Sequence, residues 1–139
     1  MKFTVMGTPK SLKRHRHTKK GFTYDPSVQD KKAFALQASV YAPKELIEKP
    51  LRVVLLFYFK RPKSHFRMGK YSHLLKSGME SRWMVGSKDL DNLVKLVCDS
   101  LQGIFYKNDS LICNIETKKL YCADGDEPRT VVGIEQLCS

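Results

Sequence analysis

Apolar positions along this chain fall into stretches of two different periods. Lys2 to Met6 alternates polar and apolar residues and predicts a first strand, ended by Gly7-Thr8-Pro9. Leu51 to Lys60 is rich in Val, Leu and aromatic residues. Both faces of a strand there would be apolar, which predicts a central strand, closed by Arg61-Pro62. Other stretches have helical spacing. Asp25-Pro26 reads as a helix start, with Asp25 as N-cap and Pro26 at the first helical position. Val28, Phe34, Ala35, Ala38 and Tyr41 carry that helix to about Tyr41, and Pro43 stops it. A second helix is predicted over Asp89 to Gln102. Leu90, Leu93, Val94, Val97 and Leu101 form one buried stripe, and Gly103 suits the position just past the end. Leu111 to Tyr121 and Arg129 to Leu137 read as two further strands around an acidic turn.

Two basic stretches interrupt this pattern. Lys10 to Lys20 holds eight Lys, Arg and His residues and no acid; Lys19-Lys20-Gly21 suggests a turn between short extended segments. Residues 61–87 carry no clear periodicity, and a segment of that length in a small domain is usually functional. The element order predicts an α+β fold: a two-layer domain with a mixed β-sheet and two helices packed on one face. One domain is expected over residues 1–139, with the basic loop 61–87 inserted before the second helix.

Composition narrows the class. An apolar share of 42% supplies one core, which argues against intrinsic disorder. No apolar run approaches the roughly 20 residues that span a bilayer, and the N-terminus has no signal-peptide pattern, so a cytoplasmic protein without membrane contact is expected. Cys98, Cys113, Cys122 and Cys138 lack metal-site spacing and read as free thiols in a reducing compartment.

The net charge of +11 is uneven: residues 1–88 carry +15 and residues 89–139 carry −4. A basic surface beside an acidic site suits a nuclease, the first neutralising phosphates and the second holding a divalent metal. Lys10, Lys13, Arg14, Arg16, Lys19, Lys20, Arg61, Lys63, Arg67 and Lys70 are the candidate DNA contacts. Phe66, Tyr71 and Trp83 would either stack on bases or anchor their loop to the core. None of the four histidines is expected to be catalytic.

The acids that matter begin at the second helix. Asp89 and Asp91 flank its first residue. At a helix start both carboxylates can converge on one point, whereas in mid-helix they diverge by about 200°. A plain N-cap explains Asp89 equally well. Asp91, Lys95 and Asp99 lie at i, i+4 and i+8, one polar line beside the buried stripe. Lys before Asp is the weaker helical ion-pair order, so helix stability explains the line poorly; a solvated face and a phosphate-binding lysine both remain open. Asp109 sits in the Lys107-Asn108-Asp109-Ser110 turn, where Asp also occurs for its own backbone bonding.

Lys88-Asp89-Leu90-Asp91-Asn92-Leu93-Val94-Lys95, then Asp99-Ser100-Leu101, Gly103-Ile104 and Asn108-Asp109-Ser110, together resemble the RusA-type Holliday-junction resolvases of bacteria and their phages. Gly7-Thr8-Pro9-Lys10-Ser11 and the aromatic-Asp-Pro helix start extend the likeness over nearly the whole chain. The resemblance implies a small homodimer that cuts four-way DNA junctions with Mg²⁺; the hard carboxylate oxygens would suit Mn²⁺ as well. It makes Asp89, Asp91 and Asp109 the metal-binding carboxylates and Lys95 the catalytic lysine, with Asp99 and Asn92 as supporting positions. Asn108 departs from the pattern, since many members carry Asp there. Two other readings compete: a non-catalytic basic nucleic-acid-binding module, and a nuclease for other branched or flapped DNA.

Overall fold

The structure is a computed structural model that describes residues 1–13, 16–17 (backbone only), 19–21, 23–86 and 88–138. A four-stranded sheet forms its centre: β1 (Lys2–Met6), β4 (Leu51–Phe59), β5 (Ile112–Tyr121) and β6 (Arg129–Gln136), in the spatial order β1-β6-β4-β5. A separate two-stranded pair, β2 (Arg16–His17) and β3 (Thr23–Tyr24), lies in the basic N-terminal segment. The sheet is mixed: β4 runs parallel to β5 and antiparallel to β6, and β1 is antiparallel to β6. A parallel neighbour demands a long crossover, and residues 60–111 provide it, carrying the basic loop and then α2 (Leu90–Leu101).

β4 is central, as its apolar content predicts, but only one of its faces is sealed. Leu51, Val53, Leu55, Phe57 and Phe59 are buried, while the residues between them are half-buried. Each buried side chain contributes roughly 1.5–3 kcal/mol. They join Phe3 and Val5 of β1, Val132 and Ile134 of β6, and both helices in the core cluster. Both helices therefore pack against one face of the sheet, giving the expected α+β class.

α1 runs Val28–Ala38, with a 3₁₀ turn over Ser39–Tyr41. Its start corrects the expectation for Asp25 and Pro26. Asp25 is not the cap: its Oδ1 accepts from the Ser27 N–H at 2.9 Å, and the helix begins after Ser27. An Asp carboxylate that bonds backbone two residues on closes a turn of its own and postpones the helix. α1 is weakly amphipathic; Ala38 is its one buried residue. Phe34 packs on the core, Tyr41 stacks on Phe3 at 5.2 Å, and Gln37 exchanges two hydrogen bonds with the backbone of Met6.

α2 has a sharper buried stripe, though not quite the expected one. Leu93, Leu96, Val97 and Leu101 are fully enclosed; Leu90 and Val94 are only half-buried and face a groove beside β5. The helix packs on α1 as well as on the sheet, so its buried arc turns towards Leu96 and leaves Leu90 and Val94 at the edge.

Candidate active site

α2 begins where the chain leaves a short bridge on the outer edge of β5. Trp83 pairs with Leu120 there, and the Lys119 ammonium donates to the Lys88 carbonyl at 2.6 Å. That bond anchors the entry to the helix. Asp89 stands at the N-cap position with extended dihedrals, φ −75° and ψ 132°, yet its side chain accepts no capping hydrogen bond. Its carboxylate is exposed. The cap explanation therefore accounts for the backbone of Asp89 and not for its side chain.

Asp109 arrives from the far end of α2. Gly103, at φ +82°, turns the chain out of the helix in the left-handed region that glycine tolerates. Phe105 and Tyr106 then plunge into the core, and Ile47 bonds the backbone on both sides of them: its N–H donates to Phe105 O, and its carbonyl accepts from the Lys107 N–H. The Tyr106 hydroxyl donates to the Cys98 carbonyl. Asp109 opens a short 3₁₀ turn, Asp109–Leu111. Asn108 caps that turn by accepting from the Ser110 N–H at 2.9 Å, and Gln102 Oε1 accepts from the Asp109 N–H at 3.0 Å. Asn108, which departs from the family pattern, thus serves the backbone here.

Between α2 and β5 lies an open groove. Asp91, Lys95, Asp99 and Asp109 line it together, above an apolar floor that includes Leu90, Val94 and Ile115. Asp89 is not among its lining residues. Among the described residues no group of three His, Cys, Asp or Glu is arranged to hold a metal ion, so the expected trio of Asp89, Asp91 and Asp109 is not gathered at one point. The donor chemistry nevertheless fits a hard divalent cation: three Asp residues line one groove with no His, and its one thiol, Cys98, is buried and kept protonated. The buried Thr117 Oγ1 in the same groove has no hydrogen-bond partner among the described residues, which suits a polar ligand there.

Cys98 lies beneath this groove. Burial pushes its thiol up to about 11, and the nearby charges of Asp109 and Asp99 act in the same direction. Burial likewise raises Tyr106 above the ordinary tyrosine range. Both groups stay neutral and structural at physiological pH.

Behind the groove, Asp99 belongs to a bridge between the helices. The Lys31 ammonium donates to Asp25 at 2.7 Å and lies 3.5 Å from Asp99. The Lys13 N–H donates to the buried Ser27 hydroxyl at 2.8 Å, and the Leu12 N–H donates to the Asn92 carbonyl at 3.0 Å. These two bonds dock the start of the basic segment against α1 and α2. Lys95 lines the space on this side too, so it stands between the basic segment and the acidic groove. Asn92 contributes its backbone carbonyl.

Other expected DNA contacts divide. Lys10, Lys13, Lys19, Lys20, Lys63 and Lys70 are exposed. Arg61 donates to the carbonyls of Met79 and Ser81 and lies over the Tyr121 ring, and Arg67 donates to Leu75 O; these two hold residues 61–81 together. Arg14 and the side chain of Arg16 lie outside the described residues. Trp83 and Tyr71 are half exposed, whereas Phe66 turns inward. Lys31, Gln102 and Tyr106 escaped the sequence reading. Their partners are six to eight residues away or on another element, beyond any local pattern.

A mixed sheet with two helices on one face, and a groove lined by carboxylates and a lysine along one of them, defines an α+β protein whose groove suits metal and phosphate. The chain belongs to the RusA endodeoxyribonuclease family, whose description, Endodeoxyribonuclease RusA, matches residues 4–135. It is also 31% identical to the uncharacterized protein YqaN of Bacillus subtilis (strain 168), over 99% of this chain and 96% of that protein. Among the described residues no helix is long and apolar enough to cross a membrane.

Proposed function

We propose that this protein resolves four-way DNA junctions by paired, divalent-metal-dependent nicks, acting as a homodimer in recombination and repair. The observation that carries this reading is the convergence of Asp91, Lys95 and Asp109, from two separate elements, on one groove of a RusA-family chain. Asp91 and Asp109, joined by Asp89, would hold Mg²⁺ or Mn²⁺, which when bound activates water and neutralises charge on the leaving oxygen. Lys95 binds the non-bridging oxygens of the scissile phosphate, where negative charge grows during in-line attack. The three carboxylates stand apart without the ion; Asp89, Asp91 and Asp109 would close together on it with DNA bound. Lys10, Lys13, Lys19 and Lys20 position the flanking phosphates. Two equivalent sites match the approximate two-fold symmetry of a four-way junction, which is the physical reason for a dimer.

Cleavage of a four-way junction, a flap and a linear duplex, each with Mg²⁺ and with EDTA, tests the reading. Metal-dependent paired nicks confined to the four-way junction are expected. Preference for the flap would move the substrate to another branched DNA. Equal cutting of linear duplex would overturn junction resolution. No metal-dependent cutting of any of them would leave a binding module.

A further inference from the structure

β4 and β5 end side by side at Phe59 and Tyr121, and β6 begins beside them at Arg129. A cavity of about 540 Å³ opens at this end of the sheet, bounded by the 61–82 segment and the turn after β5. It shares no lining residue with the groove that holds Asp91, Lys95 and Asp109. Its volume is in the range of sites that enclose a small molecule, roughly 300–1,000 Å³.

Three kinds of chemistry meet there. Aromatic walls come from Tyr58, Phe66 and Tyr121. Two of these rings are held by stacked guanidinium groups: Arg129 lies 4.1 Å over Tyr58 and Arg61 4.8 Å over Tyr121. Cations come from Lys60 and Arg82, whose side chains have no hydrogen-bond or ion-pair partner among the described residues. Asp124, on the turn, adds a carboxylate acceptor. A flat apolar wall suits the face of a base, a free cation suits a phosphate, and a carboxylate accepts from an exocyclic amine.

We propose that this cavity receives one unstacked nucleotide of the DNA substrate, and that this capture favours branched over fully paired DNA. The proposal rests on DNA being the substrate. Chain path supports the link to cleavage. The Arg82 carbonyl accepts from the Tyr121 N–H at 2.8 Å, and the Met84 N–H donates to Lys119 O, so the cavity wall continues along the β5 edge towards Asp89. Six residues lie between Arg82 and Asp89, so the two are roughly 25 Å apart at most. A nucleotide held at Arg82 therefore lies within a short stretch of strand from the cutting site. A paired base must first be unstacked to enter, whereas a base at a branch point is already loosened.

Photocross-linking tests this. A four-way junction carrying 5-iodouracil at the branch point is bound in EDTA, irradiated, and the cross-linked peptide mapped. The expected products link to Tyr58, Phe66 or Tyr121. Arg82→Ala, combined with Lys60→Ala, removes the phosphate contacts and should lower their yield and weaken junction binding severalfold, with duplex affinity nearly unchanged. Leu75→Trp, which fills the cavity, should abolish these products in a chain that unfolds at the wild-type temperature. Cross-links confined to Tyr71, Trp83 or the α2 groove would overturn the proposal, as would equal loss of duplex and junction affinity. The readout needs no cleavage. A chain that cross-links as expected but never cuts overturns the nuclease reading alone; one that binds no DNA overturns both.

Discussion

Lys31 on α1 lies 3.5 Å from Asp99 on α2 while donating to Asp25 at 2.7 Å. One ammonium thus ties the start of the first helix to the groove-lining face of the second. All three side chains are about three-quarters enclosed. Burial by itself would lower the Lys31 pKa, but the hydrogen bond and charge of Asp25, with Asp99, outweigh it, and the group sits above its ordinary 10.5.

Lys31→Met should therefore cost stability at neutral pH. A raised pKa means the contribution is complete below 10.5 and fades as pH climbs through the folded value. The expected loss is about 1–2 kcal/mol, between an exposed pair and a buried one. Urea unfolding measures it, and the gap between variant and wild type should close in strong alkali.

Asp91→Asn should remove cleavage while keeping junction binding. A carboxylate that holds metal or steers attack contributes at least about a hundredfold in rate, while losing a negative charge eases the approach of phosphate. Single-turnover cleavage and a gel-shift titration in EDTA give the two numbers separately. Loss of both together would assign Asp91 to folding.

Gly103→Ala places a side chain at φ +82° with open space around it, so the penalty is backbone strain alone. About 1–2 kcal/mol is expected. Gly103 aims the segment that delivers Asp109, so junction cleavage should fall further than thermal stability predicts. An activity that tracks stability alone would rule out this positioning role.

Asn108 separates capping from metal binding. Asn108→Asp retains the oxygen that accepts from the Ser110 N–H and should preserve stability and cleavage. Asn108→Ala should cost about 1 kcal/mol, as lost caps do, and lower cleavage by displacing Asp109. Calorimetry of both variants checks the order.

Thiol reactivity follows exposure. Cys113 and Cys138 are exposed, whereas Cys98 and Cys122 are buried with raised pKa values, burial being the leading cause for both. A disulfide reagent at neutral pH should modify two thiols quickly and the other two only in denaturant. Rapid modification of Cys98 would mean that the groove floor opens.

By itself the sequence determined the order of elements, the central place of β4, the two helices and the break at Gly103. These depend on local periodicity and on residues that act within a few positions of themselves. It also singled out Asp91, Lys95 and Asp99, because a helix converts spacing into a shared face. Tertiary structure decided the rest. Asp109 enters the groove because Phe105 and Tyr106 are buried and Ile47 bonds the backbone around them, contacts that span more than fifty residues. Asp25 is a turn and ion-pair residue rather than the cap because one carboxylate oxygen accepts from the Ser27 N–H and the other from Lys31. Arg61 and Arg67, named as DNA candidates, also anchor their own loop, because the carbonyls of Met79, Ser81 and Leu75 come within reach. The cavity at Tyr58 and Arg82 exists only where three strand ends meet, and no one-dimensional pattern encodes that meeting.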